Sequence, residues 1–143
     1  MFIGEYTHSI DQKKRLAIPV KFRRELGRQA VVTRGLDGCL WLYPMREWET
    51  LADKLGKLPI GEASARGFAR AMLAGATEVE LDRLGRILLP DHLKSYATLQ
   101  KNVTVTGLYN RIEIWEEHRW QTYKKKAEGE VEKMAGELGS FGV

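Results

Sequence analysis

Basic side chains are concentrated in one short stretch near the start of the chain. Residues 11–28 hold seven lysines and arginines against two acidic residues, a net charge of +5, whereas the whole chain carries +4. Ammonium and guanidinium groups bind phosphate oxygens, and arginine can also bind the edge of a guanine through two hydrogen bonds. The stretch therefore predicts a polyanionic partner, with nucleic acid as the first candidate. The alternative is a basic face that is simply solvated.

This stretch contains a pattern that returns 71 residues later. Residues 11–19 have Asp first, Arg fifth and Pro ninth, and residues 82–90 have the same residue types at the same places. We call the two halves copy one and copy two, and we infer an internal duplication. Matching pairs continue on both sides, at an offset of 71 and later of 72: Gly4 and Gly75, Ile10 and Leu81, Val31 and Val103, Gly35 and Gly107, Leu42 and Ile114, Trp48 and Trp120.

Three basic residues are predicted at loop tips, where no packing role is evident: Lys13, Lys14 and Arg83. We expect them to contact DNA. Arg15 and Arg86 are ambiguous, because a guanidinium can hold the Asp of its own motif or bind a phosphate or a guanine. Both are DNA-binding candidates. Four basic residues in and just after the next helix either extend this surface or are solvated: Lys21, Arg23, Arg24 and Arg28. Among them, Arg24 is the DNA-binding candidate.

Asp11 and Asp82 are predicted to shape their loops rather than to bind DNA. A carboxylate is a poor partner for phosphate, but Asp at the first position of a tight loop can accept backbone N–H bonds and close it. Pro19 and Pro90 are expected to end a strand and to open a short helix as its first residue. Gly85 replaces a lysine of copy one, which fits a backbone with positive φ and leaves the second loop less charged. We therefore expect copy one to dominate the electrostatics.

Each copy is predicted to contain four short strands, with a short helix after the second. A unit of roughly 45 residues rarely buries enough apolar area to be stable alone, so two copies should share one core. Strands are predicted at 2–10, 15–18, 30–34, 39–43, 77–81, 86–89, 102–106 and 111–115. Helices are predicted at 20–26, 44–57, 62–74, 91–97 and from Glu116 onward, with four-residue hairpin loops at 35–38 and 107–110.

The four tryptophans are predicted to have packing roles. Trp48 and Trp120 match between the copies and are expected to anchor helices to the core. Trp41 and Trp115 lie on strands at positions that do not match, which favours the core or an interface over stacking on bases. Candidate interface residues on the helices are Phe68, Met72, Trp120 and Val131.

The order of strand, Asp-x-x-x-Arg, apolar run, Pro, short helix and hairpin resembles the SpoVT–AbrB family of DNA-binding modules, which have the swapped-hairpin fold. Two copies in a chain of this length resemble the MraZ family, and the resemblance runs from Met1 to Trp120. It implies an α+β protein in which two tandem swapped-hairpin AbrB-like repeats form one pseudo-dimeric β-barrel, flanked by helices. The implied domains are repeats at 5–47 and 76–119, a helical connector at 48–75, and a C-terminal helix and tail at 120–143.

The same resemblance implies a sequence-specific DNA-binding transcriptional regulator. MraZ-like proteins recognise short direct repeats upstream of the division and cell-wall gene cluster and assemble into rings. The expected partners are therefore double-stranded DNA with tandem promoter repeats and further copies of the chain in a ring-shaped homo-oligomer. Two alternatives are an AbrB-type antitoxin and a basic protein-interaction module. The duplication and the lack of an extended toxin-wrapping tail disfavour the antitoxin.

Other classes of function find little support. The three histidines have no metal-ligand spacing, and Cys39 alone can form neither a structural zinc site nor an intrachain disulfide. The sequence has no P-loop, dinucleotide-binding motif or nucleophile elbow, so we expect no enzyme, no cofactor and no metal. No segment approaches the roughly 20 apolar residues of a membrane span, and residues 1–6 do not resemble a signal peptide. The expected location is cytoplasmic and associated with the nucleoid.

Overall fold

A computed structural model describes all residues of the chain, 1–143. The strands are Phe2–Ser9 (β1), Arg15–Ala17 (β2), Gln29–Arg34 (β3), Leu40–Pro44 (β4), Thr77–Glu80 (β5), Arg86–Leu88 (β6), Asn102–Tyr109 (β7) and Arg111–Glu116 (β8). The α-helices are Val20–Leu26 (α1), Met45–Gly56 (α2), Ala63–Ala69 (α3), Asp91–Tyr96 (α4), Glu117–Gly129 (α5) and Val131–Glu137 (α6). A π-helical turn, Arg70–Ala74, continues α3, and a 3-10 turn, Gly139–Phe141, follows α6.

Six strands form one antiparallel sheet in the order β1-β7-β8-β4-β3-β5, and β2 pairs with β6 in a separate ladder. The two copies exchange their first strands, because β1 pairs with β7 of copy two and β5 pairs with β3 of copy one. Strands β4 and β8 join the copies at the centre of the sheet. The predicted α+β class is confirmed. The ladder ends at β1 and β5, so the sheet is not closed into a barrel.

The core lies between the sheet and a second layer made by the β2–β6 pair with helices α1 and α4. Leu16 of β2 is paired with Ile87 of β6, and both are fully buried. Phe22 of α1 and Leu93 of α4 belong to the same buried cluster, which draws side chains from both copies. A single copy would leave much of this apolar surface in water, so the shared core gives a physical reason for the duplication.

Helix α1 follows directly from local sequence signals. Its residues, Val20–Leu26, are those predicted, and its buried face carries Phe22 and Leu26. Gly27 ends the helix with φ +79°, a conformation that favours glycine. Pro19 precedes the first helical residue instead of being that residue, and Pro90 stands in the same relation to α4.

The second hairpin is tighter than predicted. Residues 107–109 belong to β7, and because Leu108 pairs with Arg111 only residues 109 and 110 lie between the last paired positions, in place of a four-residue loop. The reason is the neighbouring strand, because β1 pairs with β7 along its whole length. A Cβ atom on Gly107 would lie 2.5 Å from the backbone nitrogen of Ile3, so glycine is what permits this approach.

Two predicted helices are interrupted. The segment predicted as one helix at 62–74 is α-helical only to Ala69 and then becomes the π-helical turn. The long C-terminal helix ends at Gly129 and resumes at Val131, because glycine lowers helix propensity and Glu130 adopts φ −119° and ψ 9°. We find no helix with the length and apolar character needed to span a membrane.

The predicted roles of Trp48, Trp120 and Met72 need correction. Both tryptophans are half-buried and lie outside the main core, on the face of the sheet turned away from it. Trp48 packs near the ring of Tyr43, with centroids 6.1 Å apart, and Trp120 packs near Trp115 at 5.3 Å. Met72 is buried within the chain, so it is not available as an interface residue between chains. The exposed interface candidates are Phe68 and Val131.

Candidate nucleic-acid interface

The two Asp-x-x-x-Arg loops are closed by the same three hydrogen bonds. Asp11 Oδ1 accepts the backbone N–H of Lys13 and of Arg15, each at 2.9 Å, and Oδ2 accepts Arg15 Nε–H at 2.8 Å. Asp82 Oδ1 accepts the backbone N–H groups two and four residues on, and Oδ2 accepts Arg86 Nε–H at 2.8 Å. These bonds, first of all the one from the backbone N–H of the motif arginine, lower the pKa of both carboxyl groups.

The β2–β6 ladder brings Arg15 and Arg86 to one face. Arg15 is paired with Leu88, and Arg86 is paired with Ala17, so both guanidinium groups lie on the side opposite the buried Leu16. Arg86 Nη1 is 4.0 Å from Asp11 Oδ2 of the other copy. The two motifs therefore form one continuous charged surface across the boundary between the copies.

Each motif arginine uses Nε for its own aspartate. A guanidinium has five N–H donors, and the Nη groups of Arg15 and Arg86 donate no hydrogen bond of normal length within the chain. The side chains of Arg15 and Arg86 are 32% and 26% exposed. The two interpretations of these arginines, a clamp on Asp or a partner for DNA, are therefore compatible, because they use different nitrogen atoms.

Backbone hydrogen bonds tie each loop to the other copy. Lys14 and Gly85 occupy equivalent loop positions with φ +64° and +73°. The carbonyl of Lys14 accepts the N–H of Leu89, and the carbonyl of Gly85 accepts the N–H of Ile18, each at 2.9 Å. The loops are thus held at a fixed spacing by the same fold contacts that join the copies.

The three loop-tip residues differ in their surroundings. The side chains of Lys13 and Arg83 are exposed and make no hydrogen bond or ion pair within the chain. Lys14 Nζ instead lies 2.8 Å from Asp91 Oδ1 of copy two, and this contact lowers the pKa of Asp91. Asp91 was not singled out in the sequence, where an acidic residue in a first helical turn indicates only a favourable helix end.

Arg24 is not brought to the loops. It is exposed on α1 and lines a separate depression with Lys21 and Arg46. Its neighbour Arg23 lies beside the second loop, where it lines a groove of about 900 Å³ together with Arg83. The helical spacing did not distinguish these neighbours, because the side that faces the second loop is determined by how the copies pack.

No site for a metal ion or a reactive thiol accompanies these loops. Nowhere in the chain do three or more His, Cys, Asp or Glu side chains come close enough together to hold a metal ion. Cys39 is buried, and that burial raises the pKa of its thiol far above the ordinary value. A thiol in such surroundings stays protonated and is a poor nucleophile.

These features define a class of protein: a duplicated α+β protein whose copies exchange first strands and present two Asp-x-x-x-Arg loops side by side. The model of the MraZ protein family, whose description also calls it antitoxin-like, matches the chain twice, at residues 1–71 and 72–138. The chain is 48% identical to the "Transcriptional regulator MraZ" of Natranaerobius thermophilus, 50% to that of Halothermothrix orenii and 49% to that of Moorella thermoacetica. Each comparison covers 143 residues and the whole of both chains. The chain belongs to the MraZ family.

Proposed function

We propose that this chain is a sequence-specific DNA-binding transcriptional regulator that acts at tandem repeats in a promoter. The observation that carries the proposal is the placing of Arg15 and Arg86 on one outer face, each steadied by its aspartate and each with unused Nη donors. The names of the relatives support the regulatory role. No catalytic step is part of the proposal.

The basic residues divide into two tasks. Lys13, Lys14 and Arg83 bind backbone phosphates, which provides affinity that falls with rising salt. Arg15 and Arg86 are the candidates for reading guanine edges, because their planar groups are held in place. Arg24, which is exposed on α1 away from the loops, is a weaker phosphate contact. From the resemblance to the MraZ family we further propose that these repeats lie upstream of the division and cell-wall gene cluster.

We also propose how the fold and the assembly serve this task. The exchange of first strands supports a pseudo-dimeric, barrel-like body of the swapped-hairpin type, in which the open six-stranded sheet and the β2–β6 pair enclose one core. Its parts are repeats at 5–47 and 76–119, a helical connector at 48–75 and a C-terminal helix and tail at 120–143. One protomer spans few base pairs, so several protomers in a ring would add their weak contacts on tandem sites. The site of action is then the nucleoid in the cytoplasm.

The test is a titration of two duplexes with the full-length protein. One duplex carries the repeats found upstream of the gene cluster, and the other has the same composition in shuffled order. We expect the repeat duplex to bind more tightly and to keep that preference as salt rises, since base contacts add to the salt-sensitive term. Equal affinities that vanish together would refute the proposal and favour a basic module with an acidic protein partner.

An antitoxin is the second candidate, because the description of the matching family calls it antitoxin-like. In that case a toxin would be encoded beside this chain, and the chain would form a stable complex with it. Co-expression with the product of each neighbouring gene checks this. A neighbour that is toxic alone and harmless together with this chain would establish the antitoxin.

A further inference from the structure

The second loop lacks the lysine of the first, and an arginine from the other copy fills its place. Gly85 is covered by Arg23, whose Nε atom would lie 2.2 Å from a Cβ atom built on that glycine. Arg23 Nε–H donates to the carbonyl of Ile18 at 2.8 Å. The N–H of that same Ile18 donates to the carbonyl of Gly85. The guanidinium is therefore held against the second loop.

Backbone conformation alone does not explain this glycine. Lys14 adopts φ +64° at the equivalent position, close to the +73° of Gly85. A residue with a side chain can thus adopt this backbone, and a side chain at Gly85 would have to displace the end of the Arg23 side chain, which occupies that volume. The counterpart of Arg23 in copy two is Lys94, which makes no hydrogen bond or ion pair with the first loop.

The groove beside the second loop has an excess of positive charge. Two of its lining carboxylates are already paired, Glu80 with Arg28 at 2.6 Å and Asp82 with Arg86 at 2.8 Å. Arg23 and Arg83 line the same groove, and neither makes an ion pair. The Nη groups of Arg23 donate no hydrogen bond within the chain. Two uncompensated guanidinium groups that face one open groove favour binding of a phosphate.

We propose that Arg23 and Arg83 together bind a backbone phosphate of DNA beside the second loop. Helix α1 of copy one thereby supplies the cation that the loop of copy two lacks. The two loops then have equal numbers of cationic side chains, Lys13 and Lys14 at the first and Arg83 and Arg23 at the second. This inference rests on the proposed function, and it makes Arg23, which is half-buried, a better phosphate contact than Arg24, which is exposed and lines a separate depression.

The first test compares single variants on the repeat duplex. For Arg23→Met we expect weaker binding and a slope of log K against log salt that is smaller by up to about 0.9 per bound protomer, because Arg83 remains beside the same phosphate. Arg23→Lys keeps the charge without the Nε donor, so it should keep the slope. Arg24→Met and Lys94→Met are matched controls that remove one charge from the same helix and from the equivalent place in copy two. We expect their slopes to change less than that of Arg23→Met.

The second test transfers the positive charge from position 23 of α1 to position 85 of the second loop. In Arg23→Ala the space above Gly85 is empty, so a lysine can enter there as it does at Lys14. The double variant Arg23→Ala/Gly85→Lys should recover the slope that Arg23→Ala loses. Gly85→Lys alone should weaken binding, because its side chain would displace the Arg23 guanidinium from its place beside the second loop. Thermal melts of each variant show which effects come from folding.

Three results would overturn the inference. They are an Arg23→Met variant with the wild-type slope, an Arg23→Lys variant that loses as much slope as Arg23→Met, and a folded double variant with no recovery. The second result would mean that Arg23 acts only through its bond to Ile18. A wild-type protein without preference for the repeats defeats the proposed function itself, whereas wild-type preference with an unaffected Arg23→Met defeats only this inference.

Discussion

The first strands of the two copies differ in length although they have equivalent places in the sheet. Strand β1 has eight residues and pairs along the whole of β7, whereas β5 has four residues and pairs with part of β3. The residues of copy two that correspond to the start of β1 are Leu73 and Ala74, and they belong to the π-helical turn instead of the strand. The connector between the copies thus shortens β5, whereas β1 pairs along the full length of β7.

The helices that follow the fourth strands differ in their anchors. Helix α5 is fastened to β1 through Glu5, which accepts Trp120 Nε1–H at 2.8 Å and pairs with Lys124 at 2.7 Å. The counterpart of Glu5 in copy two is Ala76, so α2 has no such partner and Trp48 packs near Tyr43 instead. The side chains of the shared core must fit together in both copies. The helices on the outer face of the sheet lie outside that core, so α2 and α5 can make different contacts.

The largest expected effect concerns the part that the copies share. Leu16→Ala and Ile87→Ala each remove a fully buried side chain at the junction of β2 and β6, and each should cost about 2–5 kcal/mol of the free energy of unfolding. Leu88→Ala is the control, because Leu88 is 58% exposed. Urea denaturation followed by circular dichroism measures both. Because the core is common, we expect one transition; two separate transitions would show that the copies fold independently.

The next effect concerns the loops, where the copies differ in charge. Replacing Lys13, Lys14 and Arg15 together with Ala should lower affinity for the repeat duplex by about 100-fold, the scale of one base contact and two phosphate contacts. The fold should survive, because the three side chains are exposed or half-buried. Fluorescence anisotropy measures the affinity.

A charge-matched control removes three exposed lysines from the C-terminal helices, Lys125, Lys126 and Lys133. It should change affinity far less than the loop variant does. Wild-type binding by the folded loop variant would place the DNA on another surface of the molecule.

A smaller effect tests the equality of the two aspartate clamps. Their depressed pKa values mean that the stabilisation is present above the unfolded value of about 3.9 and is lost as pH falls through the folded pKa. The Tm of Asp11→Asn and of Asp82→Asn should therefore lie below that of the wild type at pH 6. The difference should shrink below about pH 4. Because the hydrogen bonds of the two loops match, the Tm of the two variants should fall by similar amounts. A clearly unequal fall in Tm would show that the loops differ in more than charge.

The smallest effect concerns the anchor that only copy two has. Glu5→Gln removes the ion pair with Lys124 but leaves an acceptor for Trp120, so hydrogen-exchange protection in α5 should fall by less than about tenfold. Protection in α2 should stay the same, because that helix does not contact Glu5. The control is Glu128→Gln, whose carboxylate is 4.0 Å from Lys124. Unchanged protection of α5 in Glu5→Gln would show that ring packing alone holds the helix.

Much of the fold follows from local signals. The extent of helix α1 follows from a proline before it and a glycine after it, with Phe22 and Leu26 as its apolar face, although Pro19 lies just before the helix and is not its first residue. The tight loop after each motif aspartate was also predictable, since its hydrogen bonds reach only two to four residues along the chain. The short turn of the second hairpin was not, because it depends on how far β1 runs beside β7.

The sequence by itself determined the duplication, the two Asp-x-x-x-Arg loops and the basic character of the region around them. Only the tertiary structure decided which charges meet. Lys14 pairs with Asp91, which lies 77 residues away, and Arg23 covers Gly85, which lies in the other copy. The physical reason is the exchange of strands between copies, which creates contacts that no pattern of neighbouring residues encodes. The second loop, weakly charged in the sequence, therefore lies beside an arginine that the first copy contributes.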